Sequence, residues 1–302
     1  MIKKNKLFLF IIILFSSIFS ASSFTGWGSA ILHHVADSNP VYLFDNDGEK
    51  SFPITKHIIM LLISAIVTLV LSILATQKYR KNVNAKPSGL SQIFEILMDF
   101  INKEIVIPNI GKNYIKTWTP VAMTFFTFIL TCNLLGLIPF FEFIKISGGG
   151  GSTATGNFGV TLGLATITFF AIIIAGVKKY GFIGHWKNMV PSGVPAPVLI
   201  ILIPIEIIGM FVKPFALIMR LGANMTAGHI GMLAIFGLPY LIGTQAIPSE
   251  GLLPQPSWGF ALIAIMLNVG VFFLEIIVSL VQAYVFTLLS SVFIGMAIHA
   301  EH

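Results

Sequence analysis

Apolar residues run through this chain in blocks too long for the core of a soluble domain, separated by short polar and mostly basic connections. Ile58 to Thr76, Val121 to Phe141 and Gly159 to Val177 each have the length of a helix crossing a hydrocarbon core about 30 Å thick. Two later blocks exceed that length, Val198 to Ile242 with 45 residues and Trp258 to Ile298 with 41. As continuous helices rising about 1.5 Å per residue, each would reach roughly 60 Å or more, twice the membrane core. Such segments tilt steeply or break. Pro204, Pro214, Gly222 and Ala223 permit kinks in the first, and a turn at Arg220 to Asn224 would split it into two short spans. Leu90 to Ile107 is different in kind. Its apolar clusters alternate with Glu95, Asp99, Lys103 and Glu104 at helical spacing, which predicts an amphipathic helix at the membrane interface with a solvated charged face. The expected fold class is an all-α polytopic membrane protein with about five membrane helices.

The chain opens with Lys3, Lys4 and Lys6, an apolar run from Leu7 to Phe15 and small residues around Ser20-Ala21-Ser22. That is the layout of a cleaved secretory signal peptide over residues 1–21, with an uncleaved first span as the alternative. Either puts the next segment on the outer side, and residues 22–302 then form a single membrane-embedded domain. His33-His34 in the polar stretch Phe24 to Lys56 has no matching ligands nearby and reads as an exposed pair, not a metal site. The run Gly148 to Gly151, with Ser152 and Thr153, reads as a flexible loop. It lacks the G-x-x-x-x-G-K-[ST] pattern of a phosphate cradle.

Composition agrees with the pattern: of 302 residues, 56% are hydrophobic and 10% charged, against roughly 25% charged in a soluble domain. The mean hydropathy is +0.91. The single Cys132 excludes an intrachain disulfide and a cysteine-based zinc site. A net charge of +6 could suggest nucleic acid, but the basic residues are scattered between apolar runs without a recognition motif. Membrane topology accounts for them better. Ten lysines and arginines fall on one set of connections (Lys78, Arg80, Lys81, Lys86, Lys103, Lys112, Lys116, Lys178, Lys179, Lys187) and three on the other (Lys50, Lys56, Lys145). The mature N-terminus is therefore expected outside and the C-terminus in the cytoplasm.

The chemistry lies in the two long blocks. Ile203 to Gly231 carries Glu206, Lys213, Arg220 and His229 through an otherwise apolar run. Each ionisable group at the bilayer centre costs roughly 2.5–3.5 kcal/mol on insertion scales, so such residues persist mainly along ion paths. Glu206, Lys213 and Arg220 are seven apart, nearly two helical turns, and Asn224 joins their stripe, whereas His229 falls on roughly the opposite side. In the last block Asn268, Glu275 and Gln282 are likewise seven apart, with Ser279 four beyond Glu275. Buried polar residues can also serve only as interhelical hydrogen-bonding contacts worth about 0.6 kcal/mol, and for Asn268 and Ser279 that reading stands beside the functional one. An unmatched carboxylate at Glu275 points more strongly to ion handling, and the imidazole of His229 suits a proton relay.

Arg220-Leu221-Gly222-Ala223-Asn224-Met225, followed by Ala227-Gly228-His229 and preceded by Glu206 and Lys213-Pro214, resembles the arginine helix of subunit a of F-type ATP synthases. The usual pattern there is R-L-F-G-N-M, and Gly222 and Ala223 replace its Phe and Gly. Gln282-Ala283, the segment Met296 to His302, and Asn133 to Pro139 also resemble the family, so the likeness runs from about Ile58 to His302. The resemblance implies a non-catalytic, cofactor-free, proton-translocating subunit of a bacterial inner membrane. Its partners would be the c-subunit rotor ring, the b-subunit peripheral stalk and the soluble ATPase sector. It also implies that the two long helices lie tilted as a hairpin against the ring, with Pro248 to Pro256 at the tip, and that two half-channels meet the rotor carboxylates with Arg220 between them. Glu206 would line the inner half-channel; His229, Glu275 and Asn224 the outer, with Asn268 on the same stripe as Glu275. Gln282 would sit opposite Arg220, and Gly222 and Ala223 would let rotor helices approach. Many bacterial members carry Glu in place of His229 and His in place of Glu275, an exchange that keeps both partners of a pair.

Other classes fit less well. A secondary transporter should show paired broken helices in an internal repeat, which the chain lacks. An intramembrane hydrolase would need H-E-x-x-H or G-x-S-x-G, both absent. A scaffold would not need a charged stripe.

Overall fold

The computed structural model describes residues 41–46, 49–82, 86–138, 153–187, 196–246 and 258–299. The signal-peptide stretch 1–21, the pair His33-His34, the run Gly148 to Gly151 and the loop Pro248 to Pro256 lie outside the described residues.

A two-stranded antiparallel hairpin comes first, β1 (Val41–Asn46) against β2 (Glu49–Ile54), with Val41 opposite Ile54 and Asn46 opposite Glu49. Asp47-Gly48 between the strands is a favoured hairpin turn pair. The long described elements after it are helices: α1 (Lys56–Lys81), α2 (Leu90–Ile101), α3 (Ile115–Gly136), α4 (Phe158–Lys187), α5 (Ala196–Ala246) and α6 (Trp258–Ile298). Among the described residues, five of these helices are long and apolar enough to cross a membrane. The protein is thus an all-α polytopic membrane protein apart from the hairpin.

The hydroxyls inside the spans show how hydrocarbon is accommodated. In α1, Thr68, Ser72 and Thr76 donate to the carbonyls of Ser64, Thr68 and Ser72, one turn back along the same helix. Thr124, Thr127 and Thr131 do the same in α3. Each side chain satisfies itself on its own helix, so a polar residue can sit on a span without a partner elsewhere.

The third span extends beyond both expected ends. Asn157 opens α4 by accepting a hydrogen bond from the Gly159 amide at 2.7 Å. The helix then continues past Lys178 and Lys179 to Gly181, whose φ of 76° interrupts it before a short last stretch. α3 begins earlier than the apolar run suggested, because Gly111 (φ 98°) ends the preceding turn and the chain re-enters helix at Ile115. Pro120, five residues in, lies inside the helix and leaves one backbone carbonyl without its usual donor.

Contacts divide the chain into two compact units. The first draws on Met1–Leu61, Asn133–Ala154 and Met225–Val278, and the second on Leu62–Cys132, Thr155–Asn224 and Ser279–His302. In the first, Nδ1 of His57 donates to the Thr153 carbonyl at 3.2 Å, and Gly136 lies so near Thr153 that a Cβ would overlap it.

The second unit holds the main core. The predicted amphipathic helix is present as α2, and it runs on through a π-helical turn (Asn102–Val106) and one further turn (Ile107–Ile110). The extra residue in the π turn keeps both Ile105 and Val106 on the buried side with Ile101 and Ile110. These pack with Phe125 and Ile129 of α3, Leu164 of α4, Leu217 and Leu221 of α5, and Phe286 and Ile294 of α6. Asn102 accepts a hydrogen bond from Thr119, which ties the π turn to α3.

The end of α6 is held from two sides in this unit. Tyr180 donates to the Ile298 carbonyl at 2.9 Å, and Nε2 of His299 donates to the Ile110 carbonyl at 2.8 Å. Between them Gly295 faces the Asn109 carbonyl with no room for a Cβ. Overpacking of this kind costs about 1–3 kcal/mol. Gly295→Ala is therefore expected to lower the thermal midpoint of the detergent-solubilised complex and reduce the amount of assembled subunit. Gly163→Ala, where the space is open, should leave both unchanged; equal behaviour of the two variants would show that the approach of α6 to Asn109 is not tight.

Candidate functional site

The first long block forms one unbroken helix of 51 residues, Ala196–Ala246, about 75 Å at the usual rise. The turn at Arg220 to Asn224 that would have split it is absent, and Pro204, Pro214, Gly222 and Ala223 are all helical. In hydrocarbon a broken helix exposes amides and carbonyls that water cannot reach, so continuity prevails over the weak helix propensities of the two prolines and Gly222. The second block is α6, Trp258–Ile298, with the bounds expected from its apolar run.

Continuity makes the spacing arguments hold. On α5, Leu217, Leu221 and Met225 form the buried ridge, four residues apart, while Arg220 and Asn224 are exposed and Lys213 is half-buried. Among the described residues Arg220 forms no hydrogen bond or ion pair. Lys213 does have a partner: its ammonium lies over the Phe293 ring, 5.6 Å from the centroid, a cation–π contact between α5 and α6 within the second unit. Glu206 lies on the same helix.

The polar stripe of α6 is turned the other way. Asn268, Glu275, Ser279 and Gln282 are all buried, and Glu275 and Asn268 retain only 3% of their exposure. Among the described residues neither amide atom of Asn268 nor Oε2 of Glu275 has a hydrogen-bond partner. His229, half-buried, Asn268 and Glu275 belong to the first unit; Glu206, Arg220, Asn224 and Gln282 belong to the second.

Within the first unit, one contact brings the two long helices together at this chemistry. The Glu275 carboxylate lies directly on the backbone of Gly228, and a Cβ at that position would overlap Oε1. Gly228 precedes His229, so the carboxylate meets α5 one residue from the histidine that is its candidate partner. Sequence reasoning passed over Gly228, since a glycine in an apolar run carries no sign of its own. The signal available was its place one residue before an intramembrane histidine.

The expectation for the two small residues after Arg220 divides. Ala223 is exposed, whereas Gly222 is buried against the Phe158 ring, which would lie 3.1 Å from a Cβ there. Gly222 is thus used inside the chain, and only Ala223 remains as a small residue on the outer surface. Among the described residues no group of histidine, cysteine and carboxylate side chains is arranged to hold a metal ion.

Five membrane-length helices with an exposed guanidinium on one and a buried carboxylate on another define a polytopic membrane protein equipped to handle ions. Residues 57–295 match the family described as ATP synthase A chain. The chain is 38% identical over 281 residues to ATP synthase subunit a 2 of Chlorobaculum tepidum, covering 89% of this chain and 73% of that one. It is 38% identical over 287 residues to ATP synthase subunit a of Chlorobium phaeobacteroides (91% and 77% covered), and 37% identical over 257 residues to that of Myxococcus xanthus (85% and 76%). The chain belongs to the ATP synthase subunit a family.

The contact at Gly228 gives an expectation for ion flow. Gly228→Ala should displace the Glu275 carboxylate and reduce ATP-driven proton pumping in inverted vesicles, because the end of that side chain must move aside to make room for a Cβ. Shortening the acid by one methylene, Glu275→Asp, should recover part of the loss in that background. Gly231→Ala, one turn on and with open space around it, should pump normally; full pumping by Gly228→Ala would show that the carboxylate does not depend on this contact.

Proposed function

We propose that this chain is the proton-translocating stator subunit of an F-type ATP synthase and forms two half-channels that load and unload the carboxylates of a c-subunit rotor ring. The observation that carries this reading is Arg220, an exposed guanidinium with no ion pair among the described residues, in the middle of an apolar helix. A charge that cannot be neutralised in hydrocarbon requires a partner, and a rotor carboxylate facing the same surface supplies one. Guanidinium and carboxylate can pair through two parallel hydrogen bonds, which favours the ionised rotor site and so promotes proton release. The fixed positive charge also repels a proton crossing directly from one half-channel to the other.

In this scheme Glu206 lines the inner half-channel. His229, Glu275, Asn268 and Asn224 line the outer one, and Gln282 helps set the environment of Arg220. Burial of Glu275 and Asn268 with unsatisfied polar atoms supports their lining a path that water and protons use. The driving force is the membrane potential, about 2.3 kcal/mol per charge per 100 mV, together with the pH difference. The subunit performs no bond chemistry; it couples proton flow to rotation, and the soluble ATPase sector makes the ATP. It would sit in the cell inner membrane beside the b-subunit peripheral stalk, with residues 1–21 acting as signal peptide, the mature N-terminus outside and the C-terminus in the cytoplasm.

Two experiments test the scheme. Arg220→Ala should abolish ATP-driven acidification of inverted vesicles and ATP synthesis while the soluble sector still hydrolyses ATP, and Arg220→Lys should fail as well, since an ammonium lacks the planar fork. Normal acidification by the Ala variant would remove Arg220 from the mechanism. For the outer half-channel, His229→Glu combined with Glu275→His should pump better than either half-exchange, because a lone change leaves its partner's polar group buried and unmatched. A cysteine at 229 in a Cys132→Ser background should react faster with a membrane-impermeant thiol reagent added outside than inside. Additive exchange effects with faster labelling from inside would overturn the assignment.

A further inference from the structure

The proton path leaves the end of α4 unused, and its geometry is unusual for a span. His185 presses against the backbone of Gly176, where a Cβ would overlap the imidazole. In a straight helix nine residues separate the two by about 13 Å along the axis, beyond the reach of a histidine. The left-handed backbone at Gly181 (φ 76°) supplies the reversal, and the chain folds back on its own span. His185 is only 7% exposed in this arrangement, while Phe182 and Ile183 on the outside are 67% and 81% exposed, with Trp186 beside them. Lys178 and Lys179, just before the reversal, are exposed too, and α4 contains no acidic residue from Phe158 to Lys187.

An exposed apolar surface bearing an aromatic ring and bordered by exposed cations suits one environment in particular. Tryptophan and lysine are favoured where acyl chains give way to headgroups, since the ring is amphipathic and the ammonium can reach phosphate while its stem stays in hydrocarbon. Water would penalise Phe182 and Ile183, and mid-bilayer hydrocarbon would penalise the lysines. We propose that residues 178–186 form a docking surface for anionic phospholipid at the lysine-bearing end of the third span, with Phe182, Ile183 and Trp186 among the upper acyl carbons and Lys178 and Lys179 on the phosphates. Charge decides for the anionic class: each lysine near a membrane surface favours an anionic headgroup by about fivefold, and the segment has no carboxylate to offset that preference. The reversal at Gly181 turns a span end into a shelf lying along the membrane, pinned beneath by His185. The inference does not depend on the proton path.

The test uses the intact complex in vesicles of phosphatidylcholine and phosphatidylglycerol in equal amounts, with a photoreactive benzophenone amino acid at position 183. After illumination, the two lipid adducts are counted by mass spectrometry. The phosphatidylglycerol adduct should exceed the phosphatidylcholine adduct by about fivefold or more, and Lys178→Gln with Lys179→Gln should bring the ratio near one. The same probe at Ile167, exposed along the middle of the span, should give a ratio near one throughout. A ratio near one at 183 with both lysines present overturns the proposal, as does a ratio unchanged by their removal or crosslinking mainly to another subunit. Should the double variant fail to assemble, judged by whether the chain co-purifies with the rest of the complex, the comparison of positions 183 and 167 in the otherwise unchanged protein decides.

Discussion

Hydrocarbon offers no hydrogen bonds, and this chain's architecture follows from how each polar group deals with that fact. Most find a partner at short range. The threonines and serines of α1 and α3 return to carbonyls one turn back, and the ring of Lys–aromatic and Asn–Thr contacts in the second unit takes up Lys213 and Asn102. On the two long helices, the groups without a partner among the described residues include the exposed guanidinium of Arg220, one oxygen of Glu275 and the amide of Asn268. At roughly 2.5–3.5 kcal/mol for each charged group held at mid-membrane, such residues are costly to keep without a use.

The same constraint explains the length of α5 and α6. A helix that satisfies its own backbone can be long, but it cannot readily turn, so the proline and small residues of α5 sit within the helix without ending it. Where the chain does reverse, at Gly181, the break falls just after the basic pair Lys178-Lys179, where headgroups and water can satisfy the freed backbone groups. Close approach then depends on glycine. Gly295 against the Asn109 carbonyl and Gly228 against the Glu275 carboxylate both place backbone where no side chain fits.

Much of this was legible in the residues. The apolar blocks located all five long helices, the bounds of α6 among them, and the seven-residue spacing put Asn268, Glu275 and Gln282 on one face, which the structure buries. The amphipathic reading of residues 90–107 anticipated α2. Periodicity reports which residues share a face but not what lies opposite, so the contact of Glu275 with Gly228 and the use of Gly222 by Phe158 could not be foreseen. The π turn at Asn102–Val106 was hidden for a related reason: one extra residue per turn changes the phase of a pattern without changing its composition. Whether α5 breaks at Arg220 was open because Pro, Gly and Ala permit a kink without requiring one.

The opposite placements of the arginine and the glutamate have a common chemical origin. A carboxylic acid can shed its charge by accepting a proton, so it can be enclosed within the protein and still titrate when water reaches it. A guanidinium has no such option, because it stays protonated at any accessible pH. Burying Arg220 without a fixed counter-charge would carry the full desolvation penalty, whereas leaving it on the outer face of α5 lets a carboxylate on a neighbouring molecule pair with it and move on. Enclosing Glu275 has the complementary effect: Gly228 lies against it and a half-buried histidine follows Gly228 in sequence, so in the proposed scheme it exchanges protons along a confined path. Proton exchange along the proposed route therefore belongs to groups that can lose their charge, and direction belongs to the one that cannot.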